Sequence, residues 1–125
     1  MSAPAQIAHP FQATQSTHLI VEFYGARNLT DAGQIAEALK VAAQRGGAIV
    51  LDARLHDFGD HQGVTGIVLL AESHISIHTW PEHDYAAIDI FMCGQTYPDK
   101  SVDSLREFFK PESVDVQRLI RGARL

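Results

Sequence analysis

The spacing of hydrophobic positions along this chain changes several times, and each change marks an element. Residues 18–24, HLIVEFY, mix branched and aromatic side chains and read as a strand ended by Gly25. Over about 31–45 the period becomes helical. Ile35, Ala38, Leu39, Ala42 and Ala43 recur on one side, with Gln34, Glu37, Lys40 and Gln44 opposite. Asn28, Thr30 and Asp31 offer caps, and Gly46-Gly47 stops the helix. Alternation returns at 48–55, AIVLDARL, with Ile49, Leu51 and Leu55 expected on one side. A polar loop, HDFGDHQG at 56–63, precedes the apolar run VTGIVLLAES at 64–73. HISIHTW then sets Ile75, Ile77 and Thr79 against His74, Ser76, His78 and Trp80, before a turn made by Pro81 and the charged EHD. YAAIDIFMC, 85–93, separates Ala86, Ile88, Ile90 and Met92 from Ala87, Asp89, Phe91 and Cys93. A second helix is expected over 99–109 with Leu105, Phe108 and Phe109 facing in. Pro111 blocks its continuation, and SVDVQRLI at 113–120 is a last strand.

The order is β-α-β-β-β-α-β, with 64–80 readable as one bent strand or two. It predicts a two-layer α/β sandwich, a mostly antiparallel sheet with helices on one face. The other face mixes polar reactive groups with apolar ones, so it meets either solvent or another subunit. Residues 1–16, rich in Ala, Gln, Ser and Pro without a period, are expected as a flexible N-terminal arm, and 17–125 as a single domain.

Composition narrows the function classes. The chain has 125 residues, 46% of them hydrophobic, and a formal net charge of −5. That balance speaks against nucleic acid as a partner, although Arg118, Arg121 and Arg124 lie close together near the C-terminus. No apolar run is long enough to span a bilayer, and the first residues lack the basic start and apolar run of a secretory signal. The single cysteine cannot form an internal disulfide; together these features fit a cytoplasmic protein. His56, Asp57, His61 and His83 show no ligand spacing, so no metal is expected.

The chemistry concentrates in ESHISIHTW, 72–80, and in Cys93 at the end of the following strand. Taken singly these residues have ordinary explanations. His74 and Ser76 suit a surface strand, Cys93 a small buried hydrophobe, and Trp80 strand-end packing. Asp89 is harder to explain that way, because a carboxylate inside an apolar run costs several kcal/mol unless it is paired.

Taken together, Glu72-Ser73-His74, His78, Trp80, Glu82 and Cys93-Gly94 resemble the prokaryotic S-adenosylmethionine decarboxylases, through GVTGIVLLAESHISIHTWPEHDYAAIDIFMCG at 63–94 and HLIVEFYGA at 18–26. The resemblance covers roughly 17–110 and weakens in the loop 56–62, which looks one residue longer than the pattern, in the arm and in the last strand. It implies a pyruvoyl-dependent enzyme that makes its own prosthetic group by cleavage between Glu72 and Ser73, with Ser73 becoming the pyruvoyl. By the same resemblance His78 is the processing base, and Thr65 helps polarise the Glu72 carbonyl. In a straight strand the five-residue spacing sets His78 on the opposite face from Ser73, so a turn or bulge near Ser73 is needed to bring them together.

The resemblance further implies a Schiff base between the pyruvoyl and the substrate amine, loss of carbon dioxide, and reprotonation by Cys93, a thiol being mostly protonated near pH 7. Glu82 corresponds to a carboxylate that holds ribose hydroxyls, and Phe58 and Trp80 are the aromatic candidates for the nucleoside. The implied assembly is a homodimer of cleaved protomers with sites at the junction, working in polyamine synthesis. Two alternatives stay open. The same scaffold could take arginine or ornithine, whose cationic ends suit Glu82, Asp57 or Asp60, or it could be a binding or structural homologue that never processes.

Overall fold

The computed structural model describes residues 15–125. In order come β1 (Ser16–Tyr24), α1 (Ala32–Arg45), β2 (Val50–Asp57), β3 (Val64–Leu70), β4 (Ser73–Trp80), β5 (Tyr85–Cys93), α2 (Pro98–Phe109) and β6 (Ser113–Arg121). The strands form one sheet in the order β2-β3-β4-β5-β1-β6, with every neighbouring pair antiparallel. β1 therefore lies between β5 and β6, the two strands that follow it latest in the chain.

Both helices cover the same face. Asp31 caps α1 by accepting from the Gln34 amide at 3.0 Å. Ile35, Leu39, Ala42 and Ala43 then face the sheet and are fully buried. α2 starts at Pro98 and ends where Lys110 takes a φ of +47°. The helices touch closely at Gly46, where a Cβ would lie 2.4 Å from Ser101 Oγ. The Ser101 hydroxyl donates to the Ala42 carbonyl at 2.7 Å. Beneath them Leu19, Phe23, Ile75, Ile77, Ile88, Ile90 and Met92 join Leu105 and Phe109 in a single core. Each such side chain contributes about 1.5–3 kcal/mol by leaving water.

The alternation read from β4 and β5 holds: Ile75, Ile77, Thr79, Ala86, Ile88, Ile90 and Met92 are buried and their neighbours are not. β2 differs. Its register slips between Val50 and Asp52, which throws Leu51 outward and returns Val50, Ala53 and Leu55 to the core side. Ile49 and Leu51, expected beside Leu55, are 67% and 65% exposed. β2 also continues through His56 and Asp57, both expected in the loop. Residues 64–80 form two strands joined at Ala71-Glu72. β1 begins at Ser16, two residues before the expected strand, and residues 1–14 of the expected arm lie outside the described residues.

Among the described residues no helix covers the second face. Tyr24, Leu69, Trp80 and Leu119 are 39–45% exposed there.

Candidate functional site

Leu70 and Ser73 are register partners, so Ala71-Glu72 is a two-residue hairpin turn. Such turns ordinarily use Gly, Asn or Asp where φ is positive. Here Glu72 takes φ +70°, a left-handed conformation that costs an ordinary residue roughly 1–2 kcal/mol. The Ala71 amide anchors the turn by donating to the Ile49 carbonyl at 2.9 Å. Immediately after it, Ser73 Oγ is buried and has no hydrogen-bond partner among the described residues. An unpaired buried hydroxyl costs about 1–3 kcal/mol. Extending the His74–Phe91 pairing by two residues sets Cys93 across from Glu72, so the cysteine ends β5 beside this turn.

A second group gathers at the opposite end of β4. Thr65 and His78 are direct partners across β3 and β4, with 3.0 Å between Thr65 Oγ1 and His78 Nδ1. They line a cavity of about 680 Å³ together with Phe58, Trp80 and Glu82. Its rim is fixed by Thr79, whose hydroxyl accepts from the Val64 amide and donates to the Leu29 carbonyl, both at 2.8 Å. Gly63 presses so closely on the Thr79 carbonyl that a Cβ there would lie 2.1 Å from the oxygen. Glu82 sits in the short turn Pro81–His83, and Phe58 packs edge-on against His56 at 4.5 Å. Asp57 and Asp60 line a different depression, with Thr30 and Asp31.

These two groups are separate within one protomer. β4 pairs without interruption from Ser73 to Trp80, so no bulge follows Ser73; the irregularity lies in the turn before it. Ser73 falls on the helix-covered side with Ile75 and Ile77, and His78 on the uncovered side. Five extended residues separate them, roughly 16 Å.

Between the two groups the uncovered face carries a polar cluster. His18 Nε2 lies 3.2 Å from Asp89 Oδ1, and the Ser76 hydroxyl donates to Asp89 Oδ2 at 3.4 Å. Asp89, expected as a buried carboxylate, is thus half-exposed and paired. His74 packs against Phe91; its pKa is lowered by burial first and then by His18, with Asp89 opposing. The C-terminal arginines do not stand free as a group: Arg118 pairs with Asp99 at 2.5 Å, and Arg121 lies 5.7 Å from the Phe91 ring centre. Among the described residues no group of three or more His, Cys, Asp or Glu is placed to hold a metal ion. No described helix is long and apolar enough to cross a membrane.

Sequence reasoning missed one feature. Trp80, Tyr85 and Tyr24 form a stacked row across β4, β5 and β1, with Glu22 at the Tyr85 hydroxyl. A signal for half of it was present, because a four-residue turn at 81–84 sets 80 opposite 85.

The sequence profile of the S-adenosylmethionine decarboxylase family matches residues 17–122. A relative named S-adenosylmethionine decarboxylase proenzyme from Thermomicrobium roseum is 41% identical over 106 residues, 84% of this chain and 91% of the relative. One of the same name from Methanococcus maripaludis is 44% identical over 108 residues, covering 84% and 88%. The crystal structure of the adenosylmethionine decarboxylase from Aquifex aeolicus superposes with a TM-score of 0.77 at 32% identity, covering 86% of this chain and 91% of that one.

Proposed function

This chain belongs to the S-adenosylmethionine decarboxylase family, and from that premise we propose that it is a proenzyme that cleaves itself between Glu72 and Ser73 and then decarboxylates S-adenosylmethionine. The observation that carries the reading is the turn itself. An unpartnered buried Ser73 hydroxyl adjoins a peptide bond whose acyl residue, Glu72, is held at φ +70°. These residues fit a pyruvoyl precursor, since the hydroxyl has no competing partner and the turn loses its strained link on cleavage.

The processing chemistry follows from the atoms present. Ser73 Oγ attacks the Glu72 carbonyl carbon, the C–N bond breaks, the nitrogen takes the hydroxyl proton, and an ester replaces the amide. A base removes the Ser73 Cα proton, the Cβ–O bond breaks, and Glu72 leaves as a carboxylate. The remaining enamine tautomerises, and water releases ammonia, leaving a ketone at the head of 73–125. The base acts on a backbone Cα and the polarising hydroxyl on a backbone carbonyl, so neither step needs the Ser73 side chain on the uncovered face. His78 supplies the base and Thr65 the hydroxyl.

In one protomer these two residues lie at the wrong end of β4. A second copy stacked on the uncovered face by a two-fold axis, with its β4 antiparallel to the first, brings its His78 and Thr65 toward this Ser73 and Cys93. Each site is then built from both copies, which is also what the apolar Leu69, Trp80 and Leu119 on that face call for.

The pyruvoyl group supplies a carbonyl that binds the substrate amine and accepts the electrons released with carbon dioxide. Cys93 returns a proton to the substrate Cα. Phe58 and Trp80 bracket the adenine and attract the sulfonium, and Glu82 accepts from the ribose hydroxyls. The arginine or ornithine alternative is weakened because Asp57 and Asp60 line a separate depression, leaving Glu82 as the carboxylate in the pocket. In this reading the enzyme is cytoplasmic and its product enters polyamine synthesis.

Intact mass of fresh protein, with and without a carbonyl reagent, followed by carbon dioxide release from S-adenosylmethionine, arginine, ornithine and lysine side by side, tests it. Two chains, a labelled 73–125 and release from S-adenosylmethionine are expected. The fragments should co-elute natively, because β1 of the first lies between β5 and β6 of the second. A single unlabelled full-length mass after prolonged incubation would refute the processing claim. Release only from another amino acid would refute the substrate.

A further inference from the structure

Trp80 of β4 is the register partner of Tyr85 of β5, which is in turn the partner of Tyr24 of β1. The three rings stack on the uncovered face. Trp80 and Tyr85 are 5.2 Å apart at 26°, Tyr85 and Tyr24 5.4 Å apart at 19°. The next row along the sheet is His78, Ala87 and Glu22. Ala87 presents only a methyl, which leaves room for Tyr85 to lean across it and donate its hydroxyl to the Glu22 carboxylate. Burial, and then this bond, hold the Tyr85 phenol well above the usual tyrosine range, so it stays a donor at any pH the protein meets.

Trp80 is 39% exposed and sits where β4 ends, a place where an indole ordinarily samples several rotamers. Here one face of the ring is occupied. The occupying phenol is tethered by Glu22 and backed by Tyr24. Within one protomer the indole also lines the cavity with Phe58, His78 and Glu82, the His78 ring centre lying 6.1 Å away. Neither Tyr85 nor Glu22 lines that cavity.

We propose that Tyr85 and Glu22 are positioning residues that fix the Trp80 indole as a preformed wall of the nucleoside pocket. The proposal rests on the reading of that cavity as the S-adenosylmethionine pocket. Preorganisation of this kind removes an ordering cost from binding and leaves the chemical step alone, so its loss appears in KM.

Trp80 is the chain's only tryptophan, so intrinsic fluorescence reports on it directly. The experiment compares full-length wild type, Tyr85→Phe, Glu22→Gln and Glu22→Ala by anisotropy, acrylamide quenching, extent of self-cleavage, and KM and kcat for S-adenosylmethionine. Tyr85→Phe keeps the stack and loses the tether. It is expected to lower the anisotropy, raise quenching, and raise KM about three- to tenfold, the range set by losing one hydrogen bond, with kcat and self-cleavage within about twofold. Glu22→Ala should match it, and Glu22→Gln, which retains an acceptor, should recover most of the loss. In a Trp80→Leu background Tyr85→Phe should add nothing to KM.

Unchanged Trp80 fluorescence in Tyr85→Phe and Glu22→Ala would overturn the proposal. So would a fluorescence change without a KM change, or a KM change that persists in the Trp80→Leu background. A wild-type protein that cleaves itself yet releases no carbon dioxide from S-adenosylmethionine would instead overturn the underlying reading, and the role with it.

Discussion

Thr65 and His78 face each other across β3 and β4, with 3.0 Å between the threonine Oγ1 and the histidine Nδ1. When Nδ1–H donates to the threonine, the lone pair on Nε2 is free to accept a proton. In the proposed processing the pair would both orient a base and supply a hydroxyl. His78→Ala is expected to stall at the ester, with elimination slowed about 10²–10⁴-fold, and hydroxylamine should then cut the stalled chain. Thr65→Val should slow pyruvoyl formation while Thr65→Ser preserves it. A mass-spectrometric time course reads both; normal pyruvoyl formation in His78→Ala would assign the base elsewhere.

The left-handed φ of Glu72 should be visible as stored energy in a chain that cannot cleave. Glycine adopts φ +70° without a Cβ clash, although it adds freedom to the unfolded chain. In a Ser73→Ala background, Glu72→Gly is expected to stabilise by about 1 kcal/mol, raising the melting temperature by a few degrees. A lower melting temperature would show that the turn is not strained at this residue.

What the sequence made legible follows strand parity. Alternation in HISIHTW and YAAIDIFMC placed residues 74–80 and 86–93 on their observed faces, because one face there is covered by the helices and the other is not. It failed in β2, where one bulged residue inverts the faces and nothing in AIVLDARL announces the bulge. The five-residue spacing of Ser73 and His78 did carry their separation. The irregularity expected near Ser73 is present as the Ala71-Glu72 turn just before it, but β4 runs regularly from Ser73 onward, so the turn does not bring His78 to Ser73 within one protomer. Contacts of Asp89 with His18 and of Tyr85 with Glu22 depend on β1 lying beside β5. Strand order joins residues about 60–70 positions apart, and local pattern holds no record of it.

His74 gives a pH dependence with a definite sign. Its pKa lies below the ordinary 6.5, first because it is buried and second because of His18 on β1, while Asp89 on β5 opposes. The folded state thus disfavours the charged ring. Above about 6.5 both states are neutral here and stability is unaffected. As pH falls from 6.5 through the folded pKa, the unfolded chain takes up the proton first and stability is lost. His74→Gln should flatten the fall in melting temperature between pH 7 and 5 relative to wild type. An equally steep fall in the variant would move the effect to other groups.

The proposed two-copy site makes the sharpest prediction, because it would allow two dead chains to repair each other. A chain carrying Ser73→Ala has no nucleophile but keeps Thr65 and His78. A chain carrying His78→Ala keeps Ser73 and Cys93 but has no base. If each site lies within one protomer, neither mutant can process, alone or mixed. If Ser73 of one copy meets His78 of the other, the mixed dimer contains one complete processing site, and it lies on the His78→Ala chain. Random pairing on co-expression puts about half of all His78→Ala chains in mixed dimers, so roughly half should be cut and none of the Ser73→Ala chains. Distinct affinity tags and intact mass separate the two. The same dimer would carry Cys93 of the His78→Ala chain opposite Glu82 and Trp80 of the Ser73→Ala chain, so it should also release carbon dioxide from S-adenosylmethionine. Cleavage absent from the co-expressed pair, with both chains folded and dimeric, would place Ser73 and His78 in one protomer and require a rearrangement of β4 that its unbroken pairing does not show.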